Sequence, residues 1–277
     1  YLSLNNTFDA ANNASNSFSF ISIVSTLAWG IGYFGMPHIL VRFMAIEDEK
    51  KLTLSRRIAS VWVVIAMTVG IFIGVVGLAM TKAGSLENLA DSETVIVRIT
   101  GLISRHGVIA ALIAGVILAG ILAATMSTSD SQLLTAASGV SQNILHDFFH
   151  VEMDEKKSLL TARLTIVAIA VVAVFMARDP NSSVFGIVSF AWAGFGAAFG
   201  AVMLCALFWK RSTLAGAISG MVAGGVMVFV WKYLVRPLGG AFDIYELLPA
   251  FLVSLIVIIV VSLLTKKPSE EVLAEFD

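Results

Sequence analysis

The chain has 277 residues, 58% of them hydrophobic and only 13% charged, with a mean hydropathy of +0.90. This excludes an ordinary water-soluble domain and points to a polytopic, all-α membrane protein. A net charge of −1 gives no electrostatic case for nucleic acid, and a single cysteine, Cys205, excludes an internal disulfide or a cysteine-based metal site.

The sequence starts at Tyr1 in a polar stretch with no signal-peptide pattern and reads as a piece of something longer. Seven apolar segments have the length of roughly 20 residues that a bilayer crossing needs. They lie near 17–41, 58–80, 107–135, 159–177, 184–208, 213–235 and 246–265.

The first segment ends in WGIGYFGMPHILVRFMA at 29–45. Gly30, Gly32 and Gly35 weaken a helix there, and Pro37 removes a donor and clashes with the preceding turn. Loosened backbone inside a bilayer is tolerated where protein buries it or where it lines a cavity, so a broken helix at a solute site is expected. Trp29, Tyr33 and Pro37 follow one another at i+4 steps and would share a face. An aromatic wall suits a small zwitterion or an apolar ring. Ordinary helix packing and an interfacial belt are the competing readings. His38 and Arg42 come next, as an inner gate or, for Arg42, as a charge anchor.

The connection 82–106 carries apolar residues at mixed helical spacing and is expected to form an external helix. The third segment has no proline from Gly107 toward Ile144, and its residues 124–132 read ATMSTSDSQ. Ala124, Ser127 and Thr128 have i, i+3, i+4 spacing. Hydroxyls and backbone carbonyls can replace the water of a hard cation such as sodium without burying a charge. Back-bonding to the same helix or close packing is the commoner role for such residues. Asp130, near the inner boundary, is a candidate for a supporting position or simply a hydrated group. His146 and His150, with Asp147 between them, have metal-pair spacing but no evident third ligand. No HExxH, GxSxG or GxxxxGK[ST] pattern occurs, so enzymatic chemistry has no visible carrier.

Twelve of the 18 Lys and Arg residues fall on the side that holds Arg42, Lys50, Lys51, Lys156, Lys210 and Lys266. The positive-inside rule makes that side cytoplasmic, with Tyr1 outside and Asp277 inside. The tail after Pro268 is acidic and solvated.

The runs GYFGMPHILVRFMA at 32–45 and TMSTSDSQLL at 125–134 resemble the sodium/solute symporter family, most closely its proline-transporting branch. The likeness extends over nearly the whole chain. One departure is Met36, where the family usually has Gln before the Pro-His pair. The resemblance implies a LeuT-like fold of two inverted repeats with midplane sites at broken helices. Residues 1–209, with the external loop 82–106, would form the second repeat, and 210–277 would add two peripheral helices and the acidic tail. It also implies that Ser127 and Thr128, with the Ala124 carbonyl, ligate sodium, and that Trp29, Tyr33 and Pro37 line the substrate pathway. The activity implied is sodium-coupled uptake of a small amino acid, L-proline, by alternating access across the cell membrane, with sodium as coupling ion and no other cofactor. The missing N-terminal half would then be a partner, because two hydroxyls and one carbonyl do not complete a sodium shell and Trp29 would have no opposing wall in this chain. Another small organic solute is the alternative cargo, and a non-transporting membrane module is the alternative class. An ion channel and a membrane enzyme rank lower.

Overall fold

A computed structural model of the chain describes residues 6–9, 14–178 and 183–276. Tyr1 and Asp277, whose sidedness the charge pattern predicts, lie outside the described residues. Two four-residue strands, β1 (Asn6–Asp9) and β2 (Ala14–Ser17), pair ahead of the first helix. Among the described residues, everything else that is regular is helical. Six helical stretches are long and apolar enough to cross a membrane, and a seventh arises from a pair bent by 49°. These are the seven segments the sequence predicts.

The bent pair comprises α1 (Phe20–Leu27), α2 (Trp29–Gly32), a 3-10 turn at Tyr33–Gly35 and α3 (Pro37–Met44). The break falls where the Gly-Met-Pro order dictates. Met36 is extended (φ −81°, ψ 112°), as a residue before proline tends to be. Pro37 then opens α3, a position where its missing N–H is harmless. The Met36 carbonyl accepts from Ile39 and Leu40 at 3.0 Å each, starting the new helix.

Next come α4 (Lys51–Lys82), α5 (Val95–Ile103) and α6 (Val108–Ser138). Helix α4 ends at Gly84, whose φ of 74° suits glycine. There Gly84 N–H donates to the Thr81 carbonyl at 3.1 Å and Ser85 N–H to the Met80 carbonyl at 3.0 Å, the reciprocal pattern that closes many helices. Gly107, at φ 105°, separates α5 from α6. Helix α6 continues as a wider π-helix over Gly139–Phe148, which makes a 41-residue rod. Then follow α7 (Glu155–Met176), α8 (Val184–Phe195), a π-helical turn at Gly196–Gly200, α9 (Ala201–Phe208), α10 (Leu214–Val230), α11 (Leu247–Leu264) and α12 (Glu270–Phe276). Ser19, Ser183 and Thr213 cap α1, α8 and α10 through their hydroxyls.

The chain divides into two units, Tyr1–Asn16 with Ala45–Ala170, and Ser17–Met44 with Val171–Asp277. In the first, α5 lies on α4 so closely that a side chain at Gly77 would collide with Val95. Thr100 is fully buried there and bonds back to the Ile96 carbonyl at 2.6 Å. Most apolar side chains of α4, α6 and α7 are exposed, including Trp62, Phe72, Val116, Leu122 and Leu164.

The second unit has a core that mixes small and branched residues, with Ala193, Ala197, Ala201, Val228, Leu247, Ala250 and Ile258 fully buried. Gly216, Gly220 and Gly224 recur every four residues and form a flat stripe on α10 against Ile258, Ser254 and Ser262 of α11. The Ser254 hydroxyl donates to the Gly220 carbonyl at 2.9 Å. At one end, Arg211 donates to the Thr265 carbonyl at 2.7 Å, and the Thr213 and Thr265 hydroxyls meet at 3.0 Å. Close approach of small residues is how helices associate when lipid supplies no hydrophobic drive.

Candidate functional site

On α6 the hydroxyls of Thr125, Thr128, Ser129, Ser131 and Thr135 all bond back to carbonyls four residues earlier, at 2.8–3.2 Å. This is the usual fate of such residues in a membrane helix. Ser127 and, at the end of the helix, Ser138 are exceptions, since their hydroxyls have no partner among the described residues. Ser127 is next in sequence to Thr128, whose hydroxyl donates to the Ala124 carbonyl at 3.2 Å. A donating hydroxyl keeps a lone pair, whereas the Ala124 carbonyl already accepts both the helical N–H and the hydroxyl of Thr128. Of the three oxygens that the spacing singles out, the two hydroxyls keep acceptor capacity, and the Ala124 carbonyl gains it only if the Thr128 hydroxyl turns away. Asp130 is exposed and makes no hydrogen bond or ion pair among the described residues.

The aromatic residues of the broken helix belong to the other unit. Trp29 stacks with Phe185 at 5.3 Å, Trp192 at 5.5 Å and Tyr245 at 5.9 Å between ring centroids. The Trp192 indole also donates to the Trp29 carbonyl at 3.1 Å. Tyr33 sets its edge against Trp192 at 4.8 Å and leaves half its surface exposed. Trp29 is thus packed directly against aromatic partners within this chain. Tyr245 closes the cluster from outside the spans. Burial first, and the Glu246 carboxylate second, push its phenol pKa well above the ordinary value.

Two expectations need correction. Trp29 and Tyr33 both meet Trp192, but Pro37 does not continue their face, because the extended Met36 ends the helical register. The glycines also do a different job from the one expected. Gly32 is pressed against the Trp192 indole, and Gly35 against the backbone of Phe195, Gly196 and Gly200. The loosened turn is therefore buried at a tight crossing with the Gly196–Gly200 segment, and only Gly30 faces open space. Met36 itself is buried, while His38 is half-buried and Arg42 exposed at the end of α3.

The two histidines do not share a helical turn, because the helix that holds His146 ends at Phe148 and His150 adopts φ 53° beyond it. His146 instead meets the adjacent Asp147 carboxylate at 2.8 Å. The residues that sequence reasoning missed are Phe185, Trp192 and Tyr245. Their signal was indirect: the Gly196-xxx-Gly200 spacing marks a close crossing, and the aromatics flank it.

A hydroxyl-lined helix face and a broken helix backed by aromatics are features of a membrane transporter. The pattern of the sodium:solute symporter family matches residues 3–224, and the chain belongs to that family. It is 40% identical over 262 residues to a sodium/proline symporter of Staphylococcus aureus, across 92% of this chain and 50% of the relative. It is 39% identical over 252 residues to the osmoregulated proline transporter OpuE of Bacillus subtilis, across 91% and 50%. It is likewise 40% identical over 262 residues to a sodium/proline symporter of Haemophilus influenzae, across 93% and 51%. The chain spans about half the length of the curated relatives it matches. No solved structure matches it. Family and helices together make it a multi-pass membrane protein, and membership in a symporter family agrees with its reading as no enzyme.

Proposed function

We propose that this chain forms part of a sodium-coupled symporter for a small amino acid, with L-proline as the leading solute. The observation that carries the reading is the free Ser127 hydroxyl next in sequence to Thr128, in a chain whose relatives include sodium/proline symporters. These three oxygens would take up sodium as it sheds water, a site without formal charge that releases the ion easily. Three ligands fall short of a sodium shell, so in a protein of the relatives' full length further oxygens would come from beyond these residues. Trp29 and Tyr33 would line the solute pathway, with Tyr33 offering a hydroxyl to a zwitterion and Pro37 setting the break. Asp130, His38 and Arg42 would support or gate the inner end.

In this reading the chain is the second repeat of a LeuT-like fold over 1–209, with two added helices and an acidic tail over 210–277. Sodium moving down its gradient drives uptake by alternating access across the cell membrane. The side rich in Lys and Arg faces the cytoplasm.

The test is labelled-proline uptake into proteoliposomes by a protein of the relatives' full length, with and without a sodium gradient. A Ser127→Ala/Thr128→Ala version is expected to lose sodium-driven uptake. Uptake that survives the double substitution discards these ligands, and uptake of a different solute alone discards proline.

A further inference from the structure

The connection between α10 and α11 is built far more tightly than a mere link requires. The Trp231 indole donates to the Ile244 carbonyl at 3.1 Å. Gly239 and Gly240, both at positive φ, turn the chain back. Arg236 then donates to the Asp243 carboxylate at 2.9 Å and to Glu246 at 3.0 Å. Glu246 is only 2% exposed, so Arg236 is what makes its charged burial tolerable. Glu246 directly follows Tyr245, which faces the broken helix. The Tyr245 N–H donates to the Ser25 hydroxyl at 2.9 Å, its phenol donates to the Ser189 carbonyl at 2.6 Å, and its ring stacks on Trp29 at an interplanar angle of 16°. Ser25 is one helical turn before Trp29, so Tyr245 grips the same face twice.

We infer that the α10–α11 connection is a positioning element for the aromatic wall: Arg236 holds Glu246, Glu246 fixes Tyr245, and Tyr245 sets the place of Trp29 between α1 and α8. The inference rests on the reading of Trp29 as a solute-pathway residue. It assigns the last two helices a role in solute affinity, although none of their residues belongs to the proposed pathway. Glu246 is buried while the Arg236 side chain stays 41% exposed, so Arg236 pins the start of α11 from its open side. Tyr245, Glu246 and Arg236 act through Trp29.

The experiment uses a protein of the relatives' full length and two readouts, sodium-driven proline uptake and the near-ultraviolet circular dichroism of its stacked indoles. Trp29→Ala identifies the part of the spectrum, and of the solute affinity, that belongs to Trp29. Arg236→Gln strands the buried Glu246 carboxylate. It is expected to raise the half-saturation concentration roughly tenfold, hold the maximal rate within about twofold, and erase the Trp29 signal. Arg236→Gln/Glu246→Gln, which leaves no stranded charge, is expected to restore affinity to within about threefold. Tyr245→Phe keeps the ring and loses only the Ser189 bond, so it tests the chain of contacts even if Arg236→Gln does not fold; a rise of about threefold is expected.

A Trp29 signal unchanged in both Arg236→Gln and Tyr245→Phe overturns the positioning. So does a double variant no better than the Arg236→Gln single. Unchanged half-saturation in Trp29→Ala instead removes the solute-pathway reading, and the inference about affinity with it.

Discussion

The two units of this chain place similar helices under opposite rules. In the first, α4, α6 and α7 turn Val, Leu, Ile and Phe side chains outward and bury almost nothing of themselves, with Gly77, Ala114 and Ala137 among the few exceptions. In the second, buried contact is made by Gly, Ala and Ser together with Val228, Leu247 and Ile258, while Leu252, Ile256 and Phe229 still face outward. In water the large apolar residues would be the core. In a bilayer they are already solvated by lipid, so helices join where backbones can approach and where hydroxyls find carbonyls. Burial in the second unit therefore combines small residues at the crossings with a few large apolar ones fitted between them.

The strongest way to break that contrast is to add bulk at a crossing. Gly35→Val would drive a branched side chain into the backbone of Phe195 and Gly196, and is expected to cost about 3 kcal/mol or more. Gly30→Ala, in open space on the same helix, is expected to be neutral or to stabilise by up to about 1 kcal/mol. Thermal unfolding of the detergent-solubilised protein compares the two, and equal losses would refute the crossing. Deleting bulk should show the same asymmetry. Ile258→Ala in the α10–α11 seam is expected to lose about 2–5 kcal/mol, and Leu122→Ala on the outward face of α6 less than about 0.5 kcal/mol. Comparable losses from both would place protein rather than lipid against α6.

A smaller effect isolates the polar contribution. Ser254→Ala removes a hydroxyl that donates at 2.9 Å to the Gly220 carbonyl and leaves a methyl that fits, so a loss of about 1 kcal/mol or less is expected in a chemical-denaturation series. The smallest effect appears only in alkali. Because the folded pKa of Tyr245 is raised, its contribution is complete below the ordinary phenol value of 10.0 and is lost as pH rises through the higher folded value. A phenolate absorbance titration should find one of the four tyrosines ionising only with unfolding. Its ionising together with the others would show Tyr245 to be open to water.

The same contrast explains what could be read from the sequence. Spans were legible because apolar length is a one-dimensional property, and the break at Pro37 because proline acts on its own neighbours. The helix beginning at Lys51 rather than near 58 shows the limit: hydropathy marks the bilayer, while helix propensity carries the coil beyond it. The Ala124, Ser127 and Thr128 grouping was visible from spacing, but the free state of the Ser127 hydroxyl was not. Gly32 and Gly35 were visible as helix weakeners, yet whether they open a cavity or admit a neighbour depends on Gly196, more than 160 residues away. Tyr245 and Glu246 had no local signal, because their meaning comes from Ser25, Ser189 and Arg236.

The α10–α11 hairpin is fastened at both ends, by Arg211 on the Thr265 carbonyl at one and by Arg236 on Glu246 at the other, with the glycine stripe between. All of these ties close within a single stretch of some fifty residues. Contacts that local form soonest during biosynthesis, once both helices have entered the bilayer. The hairpin can therefore be complete while Tyr245 still waits for its partners on α1 and α8, and it offers them a finished surface on which to dock.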